Sequence, residues 1–345
     1  STSAIGYYGD TGDILLEESH HPGTDFLSDV CQKWESAVTP IEKHSRLVIL
    51  RLGVVLDNKG GFLKQIEPIF SNYFGGQVGN GKQWLSWIHI QDLINMYFFV
   101  LDNKNINGVF NASSPLPITN KEFTKALAHQ LGVPSICSAP STALKLVLGE
   151  KSLLALHSQR IDVQKILALG FKFEFEDIKT ALQDLYSWKK NPYQQLFYSE
   201  QWIPKSIDKI FLFFSEAKNL EKLTPPWLHF CILDQSTERM QKGTLITYKL
   251  KIHGIPIKWK TEILEWNPQF QFIDNQLSGP YKKWHHTHSF YSTPQNGTLM
   301  QDKIIFELPM GLIGMLFTSR FVTKDIQTIF DYRTQAIRQL GESLL

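Results

Sequence analysis

The hydrophobic pattern of this chain changes partway along, and that change constrains the fold more than any other feature. Before residue 189, near-continuous apolar runs such as RLVILRLGVVL alternate with helical stretches, as in parallel strands covered by helices. The polar segment KKNPYQQ breaks this pattern, and strands dominate after it. The sequence therefore predicts an α/β domain over residues 1–188 and an α+β domain over residues 196–345.

The first domain is expected to hold the C-terminal part of a Rossmann-like parallel sheet. Its strands are predicted at RLVILRLGVVL, WLSWIHI and NGVFNASSP, and a helix is predicted over residues 62–74. Thr24 is expected to cap the helix FLSDVCQKWESAV, and Thr119 the helix NKEFTKALAHQL. Asp92 is expected to cap the helix that follows WIHI.

The second domain is predicted as six or seven antiparallel strands followed by one long C-terminal helix. TLITYKLKI and IPIKWKTEILEW form a hairpin around residues 253–254, and KKWHHTHSFYS pairs with TLMQDKIIFEL around residues 294–297. The helix carries apolar residues at helical spacing between Val322 and Leu340. A sheet wrapped on a helix in this way is a helix-grip cup, which encloses a cavity.

Composition argues against several partners and compartments. A net charge of +2 without a basic block gives no electrostatic support for nucleic-acid binding. Cys31, Cys137 and Cys231 are odd in number and widely spaced, which suits reduced thiols in the cytoplasm. The longest apolar run, residues 310–317, is too short to span a bilayer, and no signal peptide is recognised.

Several stretches of the first domain resemble a known family. SAIGYYGD, RLGVVLDNKGG, GKQWLSWIHIQDL, NGVFNASSP and SQRIDVQKILALGFKFEFEDIKTALQDL resemble an epimerase-type branch of the extended short-chain dehydrogenases/reductases. This branch is often labelled SulA-type or cell-division-inhibitor-like. The resemblance covers residues 1–188 and includes the branch's own segment after about Ser138. In the second domain, LEKLTPP, GPYKKWHHTHSFY and YRTQAI are similar to START-like helix-grip domains of the SRPBCC superfamily.

The resemblance implies an NAD(P) cofactor, but the expected cradle for it is missing. Complete relatives begin with a strand, a Gly-rich turn and a helix that hold the pyrophosphate. No G-x-G-x-x-G occurs in this sequence, and GGQVGNGK is interpreted as a surface loop. We expect an N-terminally incomplete domain that does not bind NAD(P) tightly. The alternative is an NAD(P)-dependent epimerase or oxidoreductase whose dinucleotide-binding half lies upstream of Ser1 or on another chain.

The family's proton-transfer pair is not found where the resemblance would place it. Short-chain dehydrogenases use Tyr-x-x-x-Lys, in which the lysine lowers the pKa of the tyrosine. On the helix TDFLSDVCQKW the pair falls on Phe26 and Val30, or on Leu27 and Cys31. Neither pair can move a proton in this way, so no catalytic residue is predicted.

Other residues of the first domain fall where relatives of this family face cofactor or substrate. For several of them a structural role is the competing interpretation: strand-end packing for the tyrosines, a core role for the tryptophans and ion pairing for the arginine. The candidates for cofactor binding are Ser3, Tyr7, Tyr8 and Arg51. The candidates for substrate binding are Trp84, Trp87 and His89.

The stretch WHHTHSF carries the most informative residues of the second domain. Alternate residues of a strand share a face, so Trp284, His286 and His288 lie together. A symmetric hairpin would place His288 opposite Asp302 and His286 opposite Ile304. We expect this face to be the polar anchor of an apolar cavity. The candidate ligand-binding residues are Tyr281, Trp284, His286, His288, Asp302 and Arg333.

Two competing interpretations of this face remain open. One is a His–Asp pair with a purely structural role. The other is a metal site in which His-x-His supplies two ligands and Asp302 a third, although the sequence shows no distinct fourth. The metal site is the less favoured, and no metal is predicted.

The sequence thus favours a cytoplasmic protein whose helix-grip half binds a small apolar or amphipathic molecule. Strand edges exposed on the first half would pair with a second copy or a partner chain.

Overall fold

The computed structural model describes residues 1–139 and 156–343. The chain forms two compact units, Ser1–Pro192 and Tyr193–Leu345. Residues 140–155, which belong to the segment expected to be specific to the family branch, lie outside the described part.

The first unit alternates short strands with helices. Its strands are β1 (Thr2–Ala4), β2 (Leu15–Leu16), β3 (Val48–Leu52), β4 (Val54–Leu56), β5 (Gly76–Val78), β6 (Trp84–Leu85), β7 (Trp87–His89), β8 (Gly108–Ala112), β9 (Ile118–Thr119), β10 (Cys137–Ala139) and β11 (Arg160–Ile161). Its helices are α1 (Phe26–Val38), α2 (Gly61–Ser71), α3 (Ile90–Asp102), α4 (Asn120–Leu131), α5 (Gln164–Ala168) and α6 (Ile178–Leu185).

The strand pairs of this unit are parallel, apart from β6 with β9, among the described residues. Strands β1, β3 and β8 form a three-stranded sheet, and β4 pairs with β7. The predicted Rossmann-like parallel sheet is confirmed. The run predicted as one strand divides at Gly53, because the chain passes so close to β7 that a Cβ there would lie 2.7 Å from the Ser86 carbonyl oxygen.

The starts of α1 and α4 follow the predicted type of signal, with a correction at α1. Asp25, rather than Thr24, caps α1, since its carboxylate accepts from the backbone N–H groups of Leu27 and Ser28. Thr119 caps α4 as predicted. It forms a reciprocal capping box with Glu122.

The second unit is built on one large antiparallel sheet. Its strands are β12 (Gln194–Ile203), β13 (Cys231–Gln235), β14 (Leu245–Ile252), β15 (Ile255–Asn267), β16 (Gln271–Ser278), β17 (Lys283–Ser292) and β18 (Thr298–Glu307), and its helices are α7 (Ile207–Phe214), α8 (Asn219–Leu223) and α9 (Leu312–Ser343). The seven strands lie in the order β12-β18-β17-β16-β15-β14-β13. This order confirms the large antiparallel sheet that the sequence predicted.

Both predicted hairpins form. At the β14–β15 turn, His253 and Gly254 have φ of 49° and 81°, the left-handed values that a tight two-residue turn needs. The β17–β18 hairpin pairs Ser292 with Thr298, which fixes the register of everything along it.

Helix α9 packs an apolar face on the sheet. Ile326 and Phe330 share a buried cluster with Ile304 and Phe306 of β18. Further along the helix, Ala336 and Ile337 join a second cluster with residues of β12, β16 and β17. The side chain of Leu340 lies outside the described part. Within that part, no helix is both long and apolar enough to cross a membrane.

Candidate functional site

A cavity of about 210 Å³ lies within the second unit. Helix α9, the short helices and strands β14 to β17 all contribute to its wall. Apolar residues dominate the lining and include Leu228, Ile246, Leu250, Ile263, Ile326 and Phe330. An apolar concave site with a few converging polar groups is the usual form of a small-molecule site.

Five polar side chains meet at one part of this cavity and form what we call the polar cluster: Asp274, His286, His288, Asp302 and Arg333. Asp302 Oδ1 lies 2.9 Å from His286 Nε2 and 2.7 Å from His288 Nδ1. Asp274 Oδ2 lies 3.0 Å from His288 Nε2 and 3.6 Å from His286 Nδ1. Arg333 Nη1 stands 3.4 Å from Asp302 Oδ1. Each imidazole therefore lies between the same two carboxylates.

Strand register explains why these side chains meet. On β17, His286 and His288 point to the same face, and their ring centroids are 3.7 Å apart. His288 pairs with Asp302 across β18, and His286 pairs with Asp274 across β16. The predicted register, with His288 opposite Asp302 and His286 opposite Ile304, is confirmed.

The charges of the polar cluster divide unequally between the two histidines. Burial and, next to it, the neighbouring charge on His288 together lower the pKa of His286 to about 4. Burial also opposes a charge on His288, but the carboxylates of Asp302 and Asp274 raise its pKa above the ordinary value. Burial disfavours ionised Asp302, yet Arg333 and His288 keep its pKa well below the usual range. When His288 is protonated, its imidazolium and the Arg333 guanidinium balance the two carboxylates.

Among the described residues, three side-chain nitrogens of the cavity lining have no hydrogen-bond partner. One of them, His288 Nδ1, lies 2.7 Å from Asp302 Oδ1 as an ion-pair contact, and the other two are donors without such a contact. They are Nε1 of Trp259, a residue that is 6 % exposed, and Nε of Arg333, a residue that is 7 % exposed. A buried donor without an acceptor costs about 1–3 kcal/mol. A ligand oxygen inside the cavity would recover that free energy.

Aromatic rings form one wall of the cavity. Trp259 stacks on Tyr248 at 5.8 Å and contacts Tyr281 at 5.5 Å and Trp284 at 5.3 Å, measured between ring centroids. Burial raises the pKa of both tyrosines, so their hydroxyls stay protonated. The predicted residues Tyr281 and Trp284 lie in the lining with His286, His288 and Arg333, and Asp302 stands behind the two histidines.

Sequence reasoning missed Asp274, Tyr248 and Trp259. Asp274 sits on the same face of β16 as Phe272, and an acidic residue two positions from a large aromatic one on a strand is the signal that could have identified it. Tyr248 and Trp259 face each other across the β14–β15 hairpin. That hairpin was predicted, so the pairing of these two rings could have been derived from it.

The candidates in the first unit lie in a different environment. Arg51 forms two hydrogen bonds to Glu35, both 2.9 Å, and a third to the Tyr8 hydroxyl. Ser3 donates to the same Glu35 carboxylate, and the guanidinium lies 3.4 Å from the ring centroid of Tyr7. All four candidate cofactor-binding residues therefore belong to one internal network.

This network favours the structural interpretation of Arg51 without testing cofactor binding. Burial opposes the charge on Arg51, but the hydrogen bonds to Glu35 keep its pKa above the ordinary value. Burial raises the pKa of Tyr8, whose hydroxyl donates to Asn111 Oδ1 at 2.7 Å. A buried, protonated phenol is the opposite of the phenolate that proton transfer in this family needs.

The three candidate substrate-binding residues of the first unit are also engaged by the protein. Trp84 donates to Asp13 and lies under the Arg160 guanidinium. Trp87 is engaged only through packing, since it is fully buried and its Nε1 has no hydrogen-bond partner among the described residues. His89 is 2 % exposed, its ring centroid lies 3.9 Å from that of Phe175, and burial lowers its pKa.

The prediction that Asp92 caps helix α3 is wrong. His89 takes the cap position, and its Nδ1 accepts from the Gln91 backbone N–H. Asp92 is fully buried and accepts instead from the backbone N–H groups of Glu174 and Phe175. The carboxylate therefore anchors the segment before α6 rather than the start of α3.

Two pairs of positions on α1 correspond to Tyr-x-x-x-Lys, Phe26 with Val30 and Leu27 with Cys31. Leu27 and Cys31 of α1 lie against Gly6, 3.5 and 3.6 Å from where a Cβ on that glycine would be. Cys31 is buried, which raises the pKa of its thiol and makes it inert. Lys33 pairs with Asp29 on the exposed side of the helix.

Comparison with known proteins relates about half of the chain to epimerase family proteins. An Arabidopsis thaliana protein named as a chloroplastic homolog of epimerase family protein SDR39U1 is 37% identical over 183 residues, 53% of each chain. A Staphylococcus aureus epimerase family protein is 39% identical over 191 residues, 54% of this chain and 63% of that protein. The chain thus spans between half and two thirds of the length of these relatives.

Two further comparisons agree with this. The crystal structure of human SDR39U1 (isoform 2) with NADPH is 29% identical, has a TM-score of 0.52, and covers 54% of this chain and 64% of its own. A family described as a domain of unknown function, DUF1731, matches residues 139–185. The matched share is close to that of the first unit, which holds 192 of the 345 residues. The comparisons therefore support the epimerase family for that part of the chain.

A START superfamily protein from Mycobacterium smegmatis is 14% identical with a TM-score of 0.36, and covers 44% of this chain and 99% of its own. A likeness at this level carries no argument, and the START-like assignment of the second unit stays a prediction.

Proposed function

We propose that the second unit is a START-like helix-grip domain that binds a small apolar or amphipathic molecule in its cavity. The observation that carries this proposal is the pair of unpartnered donors, Trp259 Nε1 and Arg333 Nε, in an otherwise apolar lining. Among the described residues these two donors have no hydrogen-bond acceptor, which is costly unless a ligand provides one.

The cavity suggests the kind of molecule. Its apolar and aromatic walls would supply affinity by burying hydrocarbon or ring surface, at roughly 25 cal/mol per Å². An acceptor oxygen on the ligand would receive hydrogen bonds from Trp259 and Arg333. The volume of about 210 Å³ is below the range of about 300–1,000 Å³ typical of drug-sized ligands. A compact aromatic or short-chain ketone, alcohol or acid fits better than a long lipid.

The test is a thermal-shift screen of the full chain against compact aromatic and aliphatic molecules, with and without an oxygen function. A ligand at about 100 times its Kd stabilises the unit by about 2.7 kcal/mol, which is roughly 5–10 °C for a domain of this size. We expect stabilisation by oxygen-bearing members of the set. No shift with any compound would count against the proposal.

Three variants test where the ligand binds. Ile246→Trp fills the cavity and should abolish the shift, whereas Leu277→Trp, on an exposed residue of β16, should preserve it. Trp259→Phe keeps an aromatic ring at this position but removes the indole N–H donor. This substitution should weaken the binding of oxygen-bearing ligands about tenfold relative to that of their hydrocarbon analogues. The measurement does not depend on whether Ile246→Trp folds.

The finer assignments of the first unit also belong to this proposal. We place it in the SulA-type branch, expect the protein to be cytoplasmic, and expect these 345 residues to bind NAD(P) weakly, since they contain no G-x-G-x-x-G. The outer strands β1 and β8 of the three-stranded sheet are the edges that would pair with a second copy or a partner. Size measurement by light scattering tests that last expectation.

A second candidate function is an NAD(P)-dependent epimerase or oxidoreductase whose dinucleotide-binding half lies upstream of Ser1. Its support is the human relative, which was crystallised with NADPH and of which this chain covers 64%. Titration with NADPH separates the candidates. If NADPH binds tightly to a chain extended upstream of Ser1 but not to these 345 residues, the epimerase or oxidoreductase function is favoured.

A further inference from the structure

Three side chains of the cavity lining bring ligand atoms close to one another. Asp274, His286 and His288 each offer one ligand atom, and these atoms lie within 4.8 Å of each other. Asp274 Oδ2 is 3.0 Å from His288 Nε2 and 3.6 Å from His286 Nδ1. All three residues line the cavity, so an ion held by them would face the space in which a ligand lies.

The two separations that involve Asp274 Oδ2, one of which is a hydrogen bond, also suit ligands around a metal ion. Two ligands at about 2.1 Å from an ion stand about 3.4 Å apart in a tetrahedral site and about 3.0 Å apart as octahedral neighbours. The two distances to Asp274 Oδ2 are 3.0 and 3.6 Å, close to these two values.

The nitrogen of each imidazole that is farther from Asp274 lies close to Asp302, through a hydrogen bond for His286 and through an ion-pair contact without hydrogen-bond geometry for His288. His286 Nε2 and His288 Nδ1 lie 2.9 and 2.7 Å from the same oxygen, Asp302 Oδ1. A carboxylate behind a ligating histidine fixes its tautomer and orientation, and it is a regular companion of metal-binding histidines. Arg333, 3.4 Å from that oxygen, in turn fixes the carboxylate.

We propose that Asp274, His286 and His288 bind one divalent transition-metal ion, with Asp302 as the positioning carboxylate behind both imidazoles. Two imidazoles and one carboxylate suit Zn²⁺, Fe²⁺, Co²⁺ or Ni²⁺ rather than Mg²⁺ or Ca²⁺. The coordination positions left open face the cavity and would take water or a ligand oxygen. This differs from the sequence-based alternative, in which Asp302 was the third ligand.

The site also meets the charge requirement of such an ion. With both imidazoles neutral, Asp274, Asp302 and Arg333 leave the polar cluster with one net negative charge. This single negative charge compensates one of the two positive charges of a buried divalent cation. An anionic ligand oxygen bound at an open coordination position would compensate the other. Ion binding does not require an organic ligand, so this proposal and the proposed function can fail separately.

The test uses the full chain without a histidine tag, stripped with a chelator and titrated with Co²⁺ and Zn²⁺. We expect one equivalent to bind by calorimetry and Co²⁺ to give visible d–d absorption bands. Asp274→Asn and His286→Gln should each abolish tight binding, and Asp302→Asn should weaken it about 10- to 100-fold. The matched control is His285→Gln, because His285 is the intervening residue of the same strand and points to the other face.

The proposal would be overturned if the wild-type chain bound neither Co²⁺ nor Zn²⁺. It would also be overturned if Asp274→Asn and His286→Gln both bound the ions as tightly as the wild-type chain. A second measurement does not rely on variants. The zinc X-ray absorption spectrum of the wild-type chain should show two imidazole ligands, and a sulfur ligand or an all-oxygen shell would contradict the site.

Discussion

At the scale of single residues, the buried Arg51–Glu35 pair shows how the first unit uses its polar groups. The side chain of Arg51 is 4 % exposed and that of Glu35 13 %, and two hydrogen bonds of 2.9 Å join them. Removing one partner of a buried pair leaves the other charge uncompensated, which costs more than the pair itself contributes.

Arg51→Met should therefore destabilise the first unit strongly, by about 3 kcal/mol. Differential scanning calorimetry of the full chain would measure this as a lower midpoint for that unit's transition. The control is Lys33→Met, which breaks the exposed pair with Asp29 and should cost less than about 1 kcal/mol. Equal effects of the two substitutions would show that Arg51 is not structurally engaged as described.

Residue-level prediction in the second unit succeeded where a short turn fixed the register. The β17–β18 turn allowed the pairing of His288 with Asp302 to be counted from the sequence. Asp274 could not be counted in the same way. Its pairing with His286 belongs to the β16–β17 hairpin, in which Asn275 and His285 are the last paired residues and the strand ends beyond them are unpaired. Two register shifts also interrupt the β15–β16 pairing, one on either side of Asp274. The sequence therefore predicted one carboxylate of the polar cluster and missed the other.

At the scale of elements, capping chemistry accounts for what the sequence could predict about helix starts. Thr119 and Glu122 form the reciprocal box that begins α4, and the backbone hydrogen bond from Thr119 lowers the pKa of Glu122. The start of α3 was predicted less well, because His89 occupies a role that Ser, Thr, Asp or Asn usually fill. A fully buried Asp92 was available for a different contact, which only the tertiary structure reveals.

Thr119→Ala removes the side-chain acceptor of this box and should destabilise the first unit by about 1 kcal/mol. Chemical denaturation followed by circular dichroism on the full chain would detect the change. Ser36→Ala, at an exposed position within α1, should be neutral or slightly stabilising because alanine is the better helix former. A loss at Ser36 as large as that at Thr119 would contradict the capping account.

At the scale of the whole molecule, the change in hydrophobic pattern correctly predicted two kinds of sheet. Parallel pairs dominate Ser1–Pro192, and seven antiparallel strands make up the sheet of Tyr193–Leu345. The relatives align with a little over half of the chain, which is about the share that the first unit occupies. These relatives are named as epimerase family proteins. The cavity, its unpartnered donors and the polar cluster all lie in the second unit, and our account of function rests there.

Native mass spectrometry of the full chain, purified under mild conditions, tests this central claim most directly. We predict that the wild-type chain, incubated with a small-molecule extract of its host cells, carries a bound organic molecule that Ile246→Trp lacks and Leu277→Trp retains. A wild-type chain that stays bare, or an identical adduct on Ile246→Trp, would contradict the claim that the cavity is the binding site.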